Sequence, residues 1–282
     1  MDYRIYFSND FLALSINYLE MKLREAFRYS LVKRNGGSRI RVSDRHTYKV
    51  LHEYSLEFQL GKAAYDDMVR IEKIENLLSD YKALWRYRNN YPVPKINSDV
   101  INALMRFNSN RLNIDFYNSL SSDMAKGLSD KFDRSYYSGN TGMASYLENR
   151  CASVLKTLNL EYKYEPLISL KNYDKLVDFF IGVPIINFCF PLEVAGKLDD
   201  VTYFNKFQQD MERYYRSDLV EGHTLLVIRV NSRFKVSDEM MAQEICHFIN
   251  KAVRLTLLEF DSKLVSLINP DFDLSDYSGI SE

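Results

Sequence analysis

The N-terminal half of the chain repeats apolar positions at helical spacing. Residues 9–32 carry such a stripe from Phe11 to Phe27, and Asn9 or Asp10 stands where a helix cap belongs. Residues 62–90 carry a second stripe, which Tyr91-Pro-Val-Pro94 ends, because proline cannot continue a helix. Shorter helices are predicted over 97–108 and 114–131. The pattern predicts a mainly α-helical N-terminal domain.

Beyond residue 142 the pattern changes to short runs of β-branched and aromatic residues between helical segments. The predicted elements are a helix over 143–158, strands over 160–168, 174–182 and 188–196, a helix over 201–217, a strand over 223–230 and a helix over 237–258. The uninterrupted apolar run Leu225–Val230 is typical of a strand that is covered on both faces. The order αβββαβα therefore predicts an α/β fold around a mixed sheet.

Turn-forming residues suggest how the chain divides. Residues 133–142 are rich in Ser, Gly and Asn, which is typical of a domain boundary or an active-site loop. We predict a helical domain over 1–135, an α/β domain over 136–269 and a loose acidic tail over 270–282.

Composition narrows the class of protein. A hydrophobic fraction of 46% and a charged fraction of 27% are typical of a globular protein. No apolar run is long enough to cross a membrane and no signal peptide is recognisable, so we expect a cytoplasmic protein without a membrane partner. The 3 cysteines and 4 histidines are scattered, which favours neither a zinc site nor a Cys-His or Ser-His-Asp arrangement.

Charge is divided unevenly along the chain. Lysine and arginine outnumber the acids in residues 1–135, and acids outnumber bases in residues 136–282. Five bases lie around an Asn-Gly-Gly turn, and they could follow a phosphate backbone: Lys33, Arg34, Arg39, Arg41 and Arg45. The alternative is a solvated turn, since charge runs usually mark exposed surface.

Two acids interrupt the most apolar strands. Asp178 lies in Asp174-Lys-Leu-Val-Asp-Phe-Phe-Ile-Gly182, and Glu193 lies in Phe188-Cys-Phe-Pro-Leu-Glu-Val-Ala-Gly-Lys197. A carboxylate is costly to bury unless it is neutralised, and a divalent cation bound by oxygen ligands neutralises it directly. The alternative is that each acid faces solvent on a half-exposed strand.

Together with Glu148 in the preceding helix, these residues give a specific resemblance. An acid in the first helix, an acid in the second strand and Glu-Val-Ala-Gly-Lys in the third resemble the PD-(D/E)XK nuclease superfamily, which has the restriction-endonuclease-like fold. The likeness covers residues 143–257 and is strongest to its very-short-patch-repair-type and homing-type endonucleases. It implies that Mg²⁺ or Mn²⁺ is bound by Asp178, Glu193 and the Val194 carbonyl, with Glu148 as a more variable ligand.

The chain departs from the superfamily's pattern at two positions. Val177 replaces the proline of the motif, and Ala195 replaces the lysine expected two residues after Glu193. Lys197 shares the strand parity of Glu193 but lies about 13 Å along the strand from it. Lys206 on the next helix is the second candidate for the missing lysine, since in this superfamily that role can move to a helix. Both could equally be ordinary exposed lysines.

The resemblance implies a metal-dependent nuclease, with DNA as the expected substrate and an endonuclease as the expected type. The N-terminal domain would bind or position the substrate, and cutting both strands with one site per chain would call for a homodimer. One alternative is an inactive protein of the same fold that binds nucleic acid or supports an assembly. Another is a helical interaction protein in which Asp178 and Glu193 are structural.

Overall fold

The computed structural model describes most of the chain. The described residues are 2–25, 29–34, 37–43, 48–51, 56–107, 112–121, 136–138, 141–143, 145–171, 173–230 and 236–268. The predicted tail over 270–282 and the candidate base Arg45 lie outside them.

The described part of the chain contains seven α-helices and eleven strands. The helices are α1 (Asn9–Glu25), α2 (Leu56–Arg88), α3 (Ser98–Phe107), α4 (Ile114–Ser119), α5 (Tyr146–Thr157), α6 (Val201–Arg216) and α7 (Asp238–Ile268). The strands are β1 (Tyr29–Arg34), β2 (Gly37–Ser43), β3 (Tyr48–Leu51), β4 (Tyr136–Ser138), β5 (Thr141–Met143), β6 (Glu161–Tyr164), β7 (Leu167–Leu170), β8 (Tyr173–Leu176), β9 (Phe179–Val183), β10 (Phe188–Ala195) and β11 (Leu226–Arg229). The predicted class, a mixed α/β protein, is confirmed.

Contacts divide the chain into two compact units, one formed by Leu12–Ile101 and the other by Met1–Phe11 with Asn102–Glu282. These bounds differ from the predicted division at residues 135 and 136. The smaller unit contains helices together with an antiparallel sheet, β1-β2-β3. The helix predicted over 9–32 ends at Glu25, because the β-branched and aromatic residues that follow form β1 instead.

A buried asparagine organises the helical part of the smaller unit. The Asn17 side chain on α1 donates to the Ala13 and Pro94 carbonyls at 2.8 and 2.9 Å and accepts from the Ile96 N–H at 3.0 Å. The Trp85 indole on α2 donates to the Tyr91 carbonyl at 2.9 Å. These bonds fasten the proline-containing segment after α2 where the helix has ended.

The larger unit is built on the four-stranded sheet β11-β10-β9-β6. β10 pairs parallel with β11, and β9 pairs antiparallel with both β10 and β6, so the sheet is mixed. Every residue of β9 is buried, and in β10 Glu193 alone is not fully buried. The element order is the predicted αβββαβα with the hairpin β7–β8 inserted after the first strand.

The strand bounds bring two corrections. The strand predicted over 160–168 is divided into β6 and β7, and the strand predicted over 174–182 is divided into β8 and β9. Pro166 and Asp178 mark the breaks: the Val177 N–H donates to the Pro166 carbonyl at 3.3 Å, and the Glu165 N–H donates to the Asp178 carbonyl at 3.1 Å. Asp178 therefore lies in a short connection, where its side chain does not follow the alternation of a continuous strand.

The remaining differences are smaller. The segment predicted as a boundary or loop over 133–142 includes the antiparallel pair β4–β5. The final helix, predicted over 237–258, continues to Ile268. No helix among the described residues has the length and apolar character needed to cross a membrane.

Candidate metal and phosphate site

Asp178 is fixed to the neighbouring strand by its own carboxylate. Its Oδ2 accepts the Val194 backbone N–H at 2.7 Å, just where β10 runs beyond the end of β9. In a strand, the N–H and C=O of one residue point to the same side. The Val194 carbonyl therefore faces the side on which Asp178 lies, whereas the Ala195 carbonyl accepts the Val230 N–H at 2.8 Å on the β11 side.

Glu193 is surrounded by donors and by a second acid. The Tyr214 hydroxyl on α6 donates to its Oε1, and the Lys175 ammonium lies 3.6 Å from the same oxygen. The carboxyl groups of Glu193 and Asp178 also lie near enough for each to influence the pKa of the other. Two carboxyl groups at such range do not ionise independently, so the proton affinity of each depends on the charge of the other.

Glu148 reaches the same region from the first turn of α5. Ser145 caps this helix, its hydroxyl accepting the Glu148 N–H at 3.2 Å, and the Tyr164 hydroxyl donates to Glu148 Oε2 at 2.5 Å. The Glu148 side chain is buried, at 9% exposure for the residue. Its negative charge contributes to the raised pKa of Asp178, so Glu148 lies within electrostatic range of that carboxyl group.

Burial and like charge decide the protonation of the pair. Burial raises the pKa of Asp178 well above its usual value, and the charges of Glu193 and Glu148 raise it further, against the opposing Val194 N–H. Burial also raises the pKa of Glu193, but Lys175 and the Tyr214 hydroxyl oppose that rise. Asp178 therefore binds a proton more readily than Glu193 does.

The charges of the acids also shift the pKa values of two neighbouring side chains, Cys151 and Tyr203. Burial and the charges of Asp178 and Glu148 raise the pKa of the Cys151 thiol, which lies one turn after Glu148 on α5. Burial and the charges of Asp178 and Glu193 raise the pKa of Tyr203, although its hydrogen bond to the Gly196 backbone opposes this rise. The negative charges of the acids therefore extend their influence to Cys151 and Tyr203.

The oxygen donors fit a small hard cation. Mg²⁺ is usually bound by one or two carboxylates while it keeps several waters, and it does not need a full cage of side chains. Asp178 and Glu193 supply two carboxylates, and the Val194 carbonyl faces the same side. Within the ranges that the structure describes, no three His, Cys, Asp or Glu side chains form a group that could hold a metal by themselves. Backbone and water oxygens would thus have to complete such a site.

The two lysines considered from the sequence lie away from this cluster. Lys197 follows the end of β10 and Lys206 lies on the outer face of α6, and both are exposed. In the described part of the chain, neither forms an ion pair with Asp178 or Glu193. Ala195, at the position of the expected lysine, is 1% exposed, so a long charged side chain has no room there.

The lysine that does reach the acids is Lys175 on β8, which the sequence pattern did not single out. Its ammonium lies 2.8 Å from Asp210 Oδ2 on α6, in addition to its contact with Glu193. Asp210 and Tyr214 were also missed, although they stand four residues apart on α6 and so share one helix face. From the sequence, this four-residue spacing could have predicted that both side chains lie on one face of the helix, towards the sheet.

The predicted nucleic-acid-binding residues belong to the smaller unit. Lys33 and Arg34 lie on β1, and Arg39 and Arg41 lie on β2, where Arg39 is opposite Val32 and Arg41 is opposite Ser30. The antiparallel register confirms a hairpin, one of the two forms considered for this basic stretch. Their role in binding stays a prediction.

No protein-family model, no curated protein and no solved structure matches this chain.

Proposed function

We propose that the chain is a metal-dependent phosphodiesterase, a nuclease with DNA as its expected substrate and endonucleolytic cleavage as its expected mode. The observation that carries the proposal is the half-buried pair of Asp178 and Glu193, whose pKa values are both raised by burial, with the charge of Glu148 raising that of Asp178 further. Neighbouring carboxylates that are withdrawn from water favour a bound cation, which neutralises them. The αβββαβα order around a mixed sheet agrees with a restriction-endonuclease-like core, which we propose as the finer fold assignment.

The roles of the side chains follow from their contacts. Asp178 and Glu193 would hold Mg²⁺ or Mn²⁺ together with the Val194 carbonyl, and Glu148 would contribute from α5. When bound, the cation neutralises charge on the scissile phosphate and lowers the pKa of a water molecule. Tyr214 orients the Glu193 carboxylate, and Tyr164 and the Ser145 cap orient Glu148.

A second candidate function is favoured by Ala195. The fold could serve as a nucleic-acid-binding or assembly module without cleavage, because the lysine expected on β10 is replaced by a buried alanine. In this alternative the acids would be structural: Glu193 paired with Lys175 and Tyr214, Glu148 paired with Tyr164, and Asp178 protonated. It predicts binding without hydrolysis.

The experiment that separates the two candidates is a cleavage assay on several substrates. Supercoiled plasmid, labelled single-stranded DNA and labelled RNA are incubated with Mg²⁺ or Mn²⁺ and with the wild type, Asp178→Asn, Glu193→Gln or the control Asp174→Asn. Asp174 is an exposed acid of β8 that lies outside the cluster. We expect metal-dependent cleavage that falls by on the order of 10²–10³-fold in the two site variants, equivalent to several kcal/mol of transition-state stabilisation. Binding without cleavage by the wild type would favour the module.

A further inference from the structure

A lysine side chain lies beside the acids and supplies a positive charge there. It is Lys175, on β8. Lys175 on β8 lies 3.6 Å from Glu193 Oε1 and 2.8 Å from Asp210 Oδ2, and its side chain is only 15% exposed. Burial alone would lower the pKa of Lys175, but Glu193 and Asp210 outweigh burial and hold that pKa above its usual value. The ammonium is therefore charged at neutral pH.

Asp210 fixes where that charge lies. Its Oδ2 binds Lys175, and its Oδ1 binds the Arg213 guanidinium at 3.0 Å. The Tyr214 ring lies 5.5 Å below the ammonium, and the Arg213 guanidinium lies 4.1 Å over the Tyr173 ring. Because the shorter of its two contacts is to Asp210, the ammonium would keep its position when Glu193 binds something else.

The local charges indicate how many cations the site can accept. Asp210 and Arg213 neutralise each other. Asp178, Glu193 and Glu148 remain against the single charge of Lys175, which leaves two negative charges when all three acids are ionised. One divalent cation balances them. A second divalent cation would lie close to the Lys175 ammonium, and their mutual repulsion in a partly buried site disfavours that arrangement.

We propose that Lys175 is a catalytic residue and the second positive charge of the site, acting beside one divalent cation, with Asp210 as its positioning residue. This rests on the proposed nuclease function and names the residue that performs the role left vacant by Ala195. Tyr214 and Lys175 engage the same oxygen of Glu193. A phosphate bound through a cation at Glu193 would therefore lie near the ammonium.

The proposed role of Lys175 is to stabilise negative charge on the phosphate. In hydrolysis the water oxygen forms a bond to phosphorus, and the bond from phosphorus to the leaving sugar oxygen breaks with its electron pair on that oxygen. The proton given up by the water ends on the leaving oxygen. Lys175 neither gives nor takes a proton; its N–H groups donate to phosphate oxygens as their negative charge increases.

The test combines metal binding with cleavage. Lys175→Met removes the charge but keeps the length of the side chain, Lys175→Arg restores a cation, and Asp210→Asn loosens the anchor. Lys197→Met and Lys206→Met are matched controls, because both lysines are exposed and unpaired with the acids. Mn²⁺ alone is titrated by calorimetry, and cleavage in Mg²⁺ is measured as kcat and KM.

We expect one Mn²⁺ per wild-type chain. Lys175→Met should still bind one Mn²⁺, with an affinity about 3- to 10-fold higher because a neighbouring positive charge has been removed. The same variant should lose roughly 100-fold in kcat with KM changed only a few-fold. Lys175→Arg should recover part of that loss, Asp210→Asn should show a smaller loss, and the two controls should behave as the wild type.

Two results would overturn the assignment of Lys175 and leave the proposed nuclease function intact. One is two Mn²⁺ bound per wild-type chain, and the other is full cleavage by Lys175→Met while Asp178→Asn is inactive. Retained Mn²⁺ binding shows that Lys175→Met is folded, so its loss of kcat cannot be ascribed to unfolding. A wild type that cleaves nothing in any metal would overturn the proposed function, and the assignment of Lys175 with it.

Discussion

At the scale of single residues, Asp178 is the side chain whose environment most opposes its charge. Burial and two neighbouring carboxylates raise its pKa, so the folded protein without metal binds a proton that the unfolded chain releases. A group with a raised pKa stabilises the fold at low pH, and this stabilisation is lost as the pH rises through its folded pKa. We therefore expect the metal-free protein to lose stability as the pH rises above about 4, the usual carboxyl pKa, until it exceeds the raised pKa of folded Asp178.

Asp178→Asn should remove this loss. The asparagine keeps an oxygen for the Val194 N–H and presents an N–H to Glu193, as the protonated acid does. We expect the variant in EDTA to be about 1 kcal/mol more stable than the wild type at pH 7, which is roughly 2–4 °C in Tm for a chain of this size. Thermal unfolding from pH 4.5 to 8 measures it, with Asp174→Asn as control. Identical pH slopes for the wild type and Asp178→Asn would contradict the assigned protonation.

Tyr214 supports Glu193 through one hydroxyl group. The residue is 1% exposed, and its hydroxyl donates to Glu193 Oε1. Tyr214→Phe should lower the free energy of unfolding by about 1–3 kcal/mol, because a buried charged acceptor loses a donor. Urea unfolding measures the change at pH 7. Its neighbour Tyr215 is 69% exposed and provides the control, since Tyr215→Phe should have no effect; equal effects of the two substitutions would exclude a supporting role for Tyr214.

At the scale of elements, the break between β8 and β9 explains both what the sequence could predict and what it could not. The apolar runs predicted the buried strands β9 and β10 and placed Asp178 and Glu193 among them. A continuous strand over 174–182 would put Lys175 and Asp178 on opposite faces, because they are three residues apart. The connection through Val177 and Asp178 changes that alternation, and it depends on bonds to residues 165 and 166 that local patterns cannot reveal.

Contacts between residues far apart in the sequence also determine other parts of the fold that local patterns could not predict. Residues 9–32 continue a helical stripe past Glu25, but pairing with β2 gives Tyr29–Arg34 a strand partner, and tertiary context overrides the local preference. Ala195 led us to expect the lysine of the site at Lys197 or Lys206, whereas the lysine that contacts Glu193 is Lys175. Asp210 and Tyr214 stabilise the partly buried Lys175 ammonium, and both residues lie on a helix far along the sequence.

Close packing at Gly182 joins β9 to the helix α4. A Cβ built on Gly182 would lie 3.3 Å from two ring carbons of the buried Tyr117. Gly182→Val should therefore destabilise the protein by about 1–3 kcal/mol through overpacking. In a double-mutant cycle measured by urea unfolding, adding Tyr117→Leu should recover part of this loss, because the smaller side chain makes room. Simple additivity of the two substitutions would contradict the contact.

In the whole molecule, the two compact units differ in the charged groups that they contain. The acid cluster lies in the larger unit, and the basic hairpin β1–β2 lies in the smaller one. If the hairpin binds the phosphate backbone, Arg39→Ala with Arg41→Ala should weaken nucleic-acid binding for every sequence tested. The slope of log K against log salt should fall by roughly two, about one for each phosphate that an arginine no longer neutralises.

Fluorescence anisotropy with a labelled duplex at several salt concentrations measures this. The matched control is Arg70→Ala with Lys73→Ala, which removes two exposed charges from α2 in the same unit. Mn²⁺ binding should be unchanged in both double variants, because the proposed metal ligands lie in the other unit. An equal loss of affinity in the control would show that net charge, and not the hairpin, determines binding.

A single comparison decides whether Asp178 and Glu193 form a nuclease site: Mg²⁺-dependent cleavage of a labelled DNA by the wild type and by Asp178→Asn at equal concentration. We predict cleavage that requires the metal, is removed by EDTA and falls by on the order of 10²–10³-fold in the variant. Cleavage that is equal in the two proteins would contradict a metal and phosphate site at Asp178 and Glu193. Binding of the DNA by both proteins with no cleavage by either would contradict the nuclease itself.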